Sequence, residues 1–180
     1  QAALTGHLVF STIHTNTSAG AIPRLVDMGV DPFLIASTLV SVIGQRLTRK
    51  LCEGAGKPFP ISESLKELLD KEFADLPEEY RKKLPPFKQF FHATPTDECP
   101  NGTRGRTGVF ELLKMSKDLE QVVLKQPVEE RVYAAARAAG MLTMREDAIV
   151  KALNGEIPFE EVNTLGGELF PEGADAEARA

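Results

Sequence analysis

The apolar pattern breaks the chain into pieces of different period. Residues 7–15, His-Leu-Val-Phe-Ser-Thr-Ile-His-Thr, form a short apolar and β-branched run without alternation. That reads as a strand buried on both faces of a parallel sheet. Asn16, Thr17 and Ser18 follow as caps for a helix over 18–28, with Pro23 bending it and Gly29 closing it. Residues 31–51 open with Asp-Pro, an N-cap followed by proline at the first helical position. Phe33, Leu34, Leu39, Val40, Ile43 and Leu47 are apolar nearly all round, so one buried helix is predicted there, with Arg46, Arg49 and Lys50 at its C-terminal end.

After residue 52 the pattern weakens. Residues 53–60 are rich in Gly and Pro, 62–84 read as one or two charged amphipathic helices, and 84–108 as irregular chain with a strand at 88–92. Residues 107–115 are a second strand candidate. Three helices are predicted after it, over about 117–125, from Pro127 to near Gly140, and from the capping box at Thr143 and Glu146 to Asn154-Gly155. Residues 171–180 are acidic and Ala-rich, a composition that favours disorder.

Composition narrows the function classes. Apolar residues make up 42% of the 180, enough for a real core. The net charge of −5 disfavours nucleic acid as partner, since phosphate binding needs a basic face. Basic residues gather only at 45–50 and 80–84. No apolar run nears the roughly 20 residues of a membrane helix. Cys52 and Cys99 are too few for a disulfide framework, which makes a reduced, cytoplasmic protein the default. The chain opens on Gln, as a processed product or a fragment would.

In open α/β sheets ligands bind beyond the carboxyl ends of the strands. His14, Thr15 and Asn16 stand at that end of the first predicted strand. An extended strand would put His7 roughly 23 Å away from His14. His14 is therefore the better candidate for touching a ligand, and a structural hydrogen-bonding role is the competing reading. Glu111 falls among apolar residues of the second strand and needs a partner if buried, with Arg106 or Arg46 the first expectations. Gly102, Gly105 and Gly108 permit tight turns around Arg104 and Arg106.

Four segments carry a resemblance: ALTGHLVFSTIHTN, RLVDMGVDPFLIASTLVSVIGQRLTRKLC, GTRGRTGVFELL and GMLTMREDAIVKALNGEIPFEEV. Together they resemble the C-terminal part of the type II secretion and type IV pilus assembly ATPases, from residue 1 to about 166. The resemblance implies an α/β fold. Residues 1–51 would be part of a RecA-like P-loop ATPase core, a parallel-sheet strand plus helices. Residues 52–108 would be a degenerate cysteine-motif region with a helical insert, 109–166 a mainly helical C-terminal subdomain, and 167–180 a disordered acidic tail. It implies that His7 and His14 occupy the two positions of the family's histidine box and are catalytic, with Thr15 and Asn16 beside the nucleotide. ATP and Mg would serve the full-length protein. The implied partners are the other subunits of a homo-hexameric ring and inner-membrane platform components of the machine, with no nucleic acid. The implied location is cytoplasmic and peripheral at the inner membrane. The pattern in 28–52 points to assembly rather than retraction motors, and is shared by secretion and pilus assembly.

Two family features are incomplete. No phosphate-cradling G-x4-G-K-[ST] occurs, and Gly54-Ala55-Gly56-Lys57 is a decoy followed by proline. A chain without that cradle should not hydrolyse ATP alone. The family often carries C-x2-C twice, a zinc arrangement. Here Ala55 and Thr96 stand where partners of Cys52 and Cys99 would be, so zinc is not expected, no residue is assigned to a metal, and His92 is a weak third ligand. The loop would then be held by packing of Phe87, Phe90 and Phe91. The competing classes are a non-catalytic interaction module with the same fold remnant, and a small-ligand α/β enzyme using His14.

Overall fold

The computed structural model describes residues 2–165. The expected disorder of the acidic tail lies outside them. Secondary structure follows local chemistry most closely where caps are explicit. Helix α1, Ala21–Asp27, starts three residues later than the composition suggested, so Pro23 falls in its first turn, where a missing N–H costs nothing. Helix α2, Pro32–Thr38, has the expected N-cap: Asp31 accepts from the Phe33 N–H.

The long buried helix predicted over 31–51 is not formed. Its second half is strand β1, Ser41–Leu51. The β-branched run Val40, Val42, Ile43 around Gly44 favours extended chain, and β4, Thr103–Lys114, supplies a partner for it. The basic residues Arg46, Arg49 and Lys50 therefore lie on a strand rather than at a helix end.

The strand expected at 7–15 is also absent. These residues carry no regular structure, and Leu8, Val9 and Phe10 are 79%, 52% and 88% exposed. A strand exists only through hydrogen bonds to neighbours, and none of the described strands pairs with this segment. The fold is mixed α/β with two two-stranded sheets, β1 with β4 and β2 with β3. The expected parallel sheet does not occur among the described residues.

The chain divides into two compact units. The first takes residues up to Gly44 and Glu111–Met141. Helices α5 (Lys117–Lys125) and α6 (Glu129–Ala138) pack there with α2 and α1 around Ile22, Ile35, Leu113, Leu119, Val123 and Val132. Ser116 caps α5 by accepting from the Leu119 N–H, and Gly140, at φ +88°, follows α6.

The second unit takes Gln45–Phe110 and the chain from Leu142. Strands β2 (Gly56–Pro60) and β3 (Gln89–Ala93) pair antiparallel, Phe59 opposite Phe90. Strand β2 lies in the stretch rich in Gly and Pro, where its two prolines hide it from the sequence pattern. Helices α3 (Glu63–Glu72) and α4 (Glu78–Arg81) match the amphipathic reading of 62–84. Helix α7, Met144–Leu153, has the full capping box, with Thr143 and Glu146 each satisfying the other's amide. Asn154 and Gly155 end it, and α8, Glu160–Asn163, packs against it.

The core of this unit is aromatic. Phe90 is fully buried, 4.8 Å from Phe159 and 6.1 Å from Phe59 between ring centres. His92 stacks on Phe59 at 4.0 Å and shares a 2.7 Å contact from Nδ1 to Glu160 Oε1. Two turns face each other beside this core. In one the Ala55 N–H donates to the Cys52 carbonyl, and in the other the Cys99 N–H donates to the Thr96 carbonyl. Cys52 and Cys99 are joined as a disulfide across 47 residues, which corrects the expectation of two reduced thiols. Nothing in their spacing signalled that the turns meet. Gly102 closes the arrangement at φ +67°, where a Cβ would lie 2.7 Å from the Thr94 nitrogen. No described helix is long and apolar enough to cross a membrane.

Candidate functional site

The sequence places its candidate chemistry on the segment from His7 to Ser18. In the structure the first ten positions of that segment, His7 to Asn16, are almost wholly exposed. His7 Nδ1 lies 2.8 Å from the Thr5 hydroxyl, a local contact within the N-terminal turn. His14 and Asn16 make no hydrogen bond among the described residues, and the Thr15 hydroxyl donates to the Thr17 carbonyl at 2.9 Å. His14, Thr15 and Asn16 are thus consecutive, exposed polar groups. No hydrogen bond connects either of the two histidines to the other among the described residues.

The segment is fastened at its C-terminal end. The Thr17 hydroxyl donates to Glu129 Oε1 at 2.5 Å and accepts from the Gly20 N–H at 3.0 Å. At Ser18 the chain enters the interior. Ser18 is 1% exposed, and both its N–H and its hydroxyl donate to Glu111 Oε1, at 2.6 and 2.5 Å. Its Oγ also lies 3.6 Å from Met141 Sδ, and the buried Arg137 guanidinium donates to the Met141 carbonyl at 2.7 Å. Ser18, Glu111, Met141 and Arg137 form one buried cluster behind the exposed polar residues.

Glu111 reaches this cluster by strand alternation. In β4 Val109, Glu111 and Leu113 point inward, while Phe110, Leu112 and Lys114 point outward. Its partner is Ser18, not Arg106 or Arg46 as expected. The signal available in the sequence was the alternation, which marks Glu111 as inward-facing. The identity of a partner 93 residues away carried no local signal.

The decoy sequence Gly54–Lys57 is not a phosphate loop in the structure. Gly54 makes a turn at φ +75°, and Lys57 lies in β2 opposite His92. A phosphate loop needs a helix N-terminus following the glycines, and here a paired strand follows. The described residues alone do not form a nucleotide cradle. They do not fit zinc either: the Cys52 and Cys99 sulfurs are bonded to one another, and His92 is engaged with Phe59 and Glu160. No group of three metal-ligating side chains occurs among the described residues.

The family described as Type II/IV secretion system protein matches residues 1–164. The chain is 40% identical over 164 residues to the type II secretion system protein E of Xanthomonas campestris pv. campestris, covering 90% of this chain and 27% of that protein. It is 39% identical over 163 residues to the type II secretion system ATPase E of Vibrio cholerae, covering 90% of this chain and 30% of that protein. It is 33% identical over 168 residues to the type IV pilus assembly ATPase PilB of Acinetobacter baylyi, covering 93% of this chain and 28% of that protein. The chain thus spans less than a third of the length of these curated relatives. A match that runs through the histidine segment, both strands of the β1–β4 pair and the capped helix α7 leaves one assignment: the chain belongs to the type II/IV secretion system protein family.

Proposed function

We propose that this chain is the C-terminal part of a secretion or pilus assembly motor that couples ATP hydrolysis to pilin or pseudopilin assembly. The observation that carries the reading is the family match over residues 1–164. The names of the relatives, which include ATPases of both machines, support it. In this reading residues 7–15 complete a parallel, RecA-like sheet, which accounts for an apolar run that stands exposed here. His14 then lies beside the terminal phosphate of ATP, with Thr15 and Asn16 next to it, and His7 acts through packing or subunit contacts. The motor works as a homo-hexameric ring on the cytoplasmic side, docked on inner-membrane platform components, with Mg at the phosphates.

An imidazole at that place stabilises charge as the terminal phosphate leaves, a service used mainly in the transition state. His14→Ala in the full-length ATPase should lower turnover by about a hundredfold while leaving nucleotide affinity within about threefold. Normal turnover in that variant, or loss of folding instead of activity, sinks the assignment of His14. The 180-residue chain alone should not turn over ATP, since a phosphate loop is absent from its sequence.

A further inference from the structure

Glu111 is a charged side chain at an inward strand position, 4% exposed, between the fully buried Val109 and Leu113. Burial of a carboxylate is costly unless donors replace its water. Here two of the donors, the N–H and the hydroxyl of Ser18, come from one residue and converge on one oxygen. An apolar side chain at 111 would suit the neighbouring core but would leave both Ser18 donors buried without that acceptor. The contact joins the inner side of β4 to the point where the exposed His14–Asn16 stretch turns into the interior.

We propose that Glu111 is a positioning residue: it latches the chain at Ser18, so that His14, four residues upstream, is presented from a fixed base. Four residues span at most about 13 Å, so an anchor at Ser18 limits where the imidazole can go. The second tie, Thr17 to Glu129, lies nearer the surface and holds the same turn from outside. The catalytic side of this inference rests on the assignment of His14 above. The latch itself does not.

The experiment has two arms. In the 180-residue chain, amide hydrogen exchange is followed at residues 18, 20 and 21, the hydrogen-bonded amides of this turn, and for helix α7, in Glu111→Leu, Glu111→Gln and Ser18→Ala. Glu111→Leu should speed exchange at 18, 20 and 21 by about tenfold or more, with α7 unchanged. Glu111→Gln keeps a carbonyl acceptor and should stay within about threefold of the parent. Ser18→Ala keeps the N–H half and should fall between them, and it reads the same contact if Glu111→Leu does not fold. In the full-length ATPase, Glu111→Leu should lower kcat by about tenfold or more with KM for ATP within about threefold, and Glu111→Gln should recover most of it.

Unchanged exchange at 18, 20 and 21 in both Glu111→Leu and Ser18→Ala overturns the latch. So does faster exchange throughout the chain, which marks a merely structural residue, and so does a Glu111→Gln variant as slow as Glu111→Leu. If His14→Ala turns over ATP normally while exchange at 18, 20 and 21 responds as stated, the reading of His14 fails and the latch stands. If His14→Ala is slow and Glu111→Leu is not, the latch has no part in positioning and the reading of His14 stands.

Discussion

Residues 7–18 and the chain from Cys52 to Gly102 are held in opposite ways. The first is fixed at one end only, by Thr17 and Ser18, and leaves Leu8 and Phe10 in water. The second is fixed throughout. It has a β-ribbon, a cluster of rings around Phe90, a cysteine bridge and a glycine turn that no other residue fits. The first carries the exposed His14, Thr15 and Asn16 that the proposed function places at the nucleotide. A segment that contributes side chains to a larger site needs a fixed base and free groups. A segment that must hold its own shape needs closure on every side.

The largest test of this contrast is Phe90→Ala. Phe90 is fully buried and touches rings from β2 and from the start of α8. Removing a buried phenyl ring typically costs about 3–5 kcal/mol, through lost transfer energy and the cavity left behind. Denaturant unfolding should show a loss of that size, with native-state exchange at residues 18, 20 and 21 unaffected. A loss under about 1 kcal/mol would mean the ring cluster is not the closure of this region.

Next in size is reduction of the Cys52–Cys99 bridge. Closing a loop of 47 residues restrains the unfolded chain, and bridges of this kind contribute about 2–4 kcal/mol. The unfolded chain should titrate with no free thiols before reduction and two after it. The reduced chain should melt lower but remain folded, because the aromatic cluster persists. Two free thiols before reduction, or the same melting point in both states, would remove the bridge from the account. The result also bears on location, since thiols in a reducing cytoplasm stay open.

The same contrast explains what could be read from the sequence. Elements set by their own residues were legible: the Thr143–Glu146 capping box, the Ser116-led helix α5, the Asp31-Pro32 start and the Gly29 and Gly155 ends. Elements set by partners were not. Residues 40–51 looked helical because their apolar residues run on all sides, and only pairing with β4 decides for strand. Strand β2 was masked by prolines that an edge position tolerates. The candidate site shows both cases within four residues. His14 is marked by the family resemblance alone, whereas the tie at Ser18 depends on Glu111, a residue whose inward position could be inferred but whose partner could not. Cys52 and Cys99 resemble remnants of a metal motif in the sequence, because the motif spacing says nothing about two turns meeting face to face.

The smallest expected effect is also the most informative about the opening segment. Leu8 and Phe10 are strand-forming side chains with 79% and 88% of their surface in water. Exposed apolar residues on a stretch with unpaired backbone groups are a template for pairing with another chain. Replacing both with serine removes no packed contact, so the stability of the 180-residue chain should change by less than about 0.5 kcal/mol. Its tendency to self-associate, read by sedimentation at increasing concentration, should fall. In the full-length ATPase the same double substitution should instead be strongly destabilising, because there the proposed sheet buries both side chains. The difference between the two contexts is the point of the measurement. If the double variant melts several degrees lower already in the 180-residue chain, the segment is packed without outside help, and the contrast with the region from Cys52 to Gly102 collapses. If it is harmless in both contexts, residues 7–15 are not a buried strand anywhere, and the geometric argument that brings His14 to the phosphate end of a sheet goes with it.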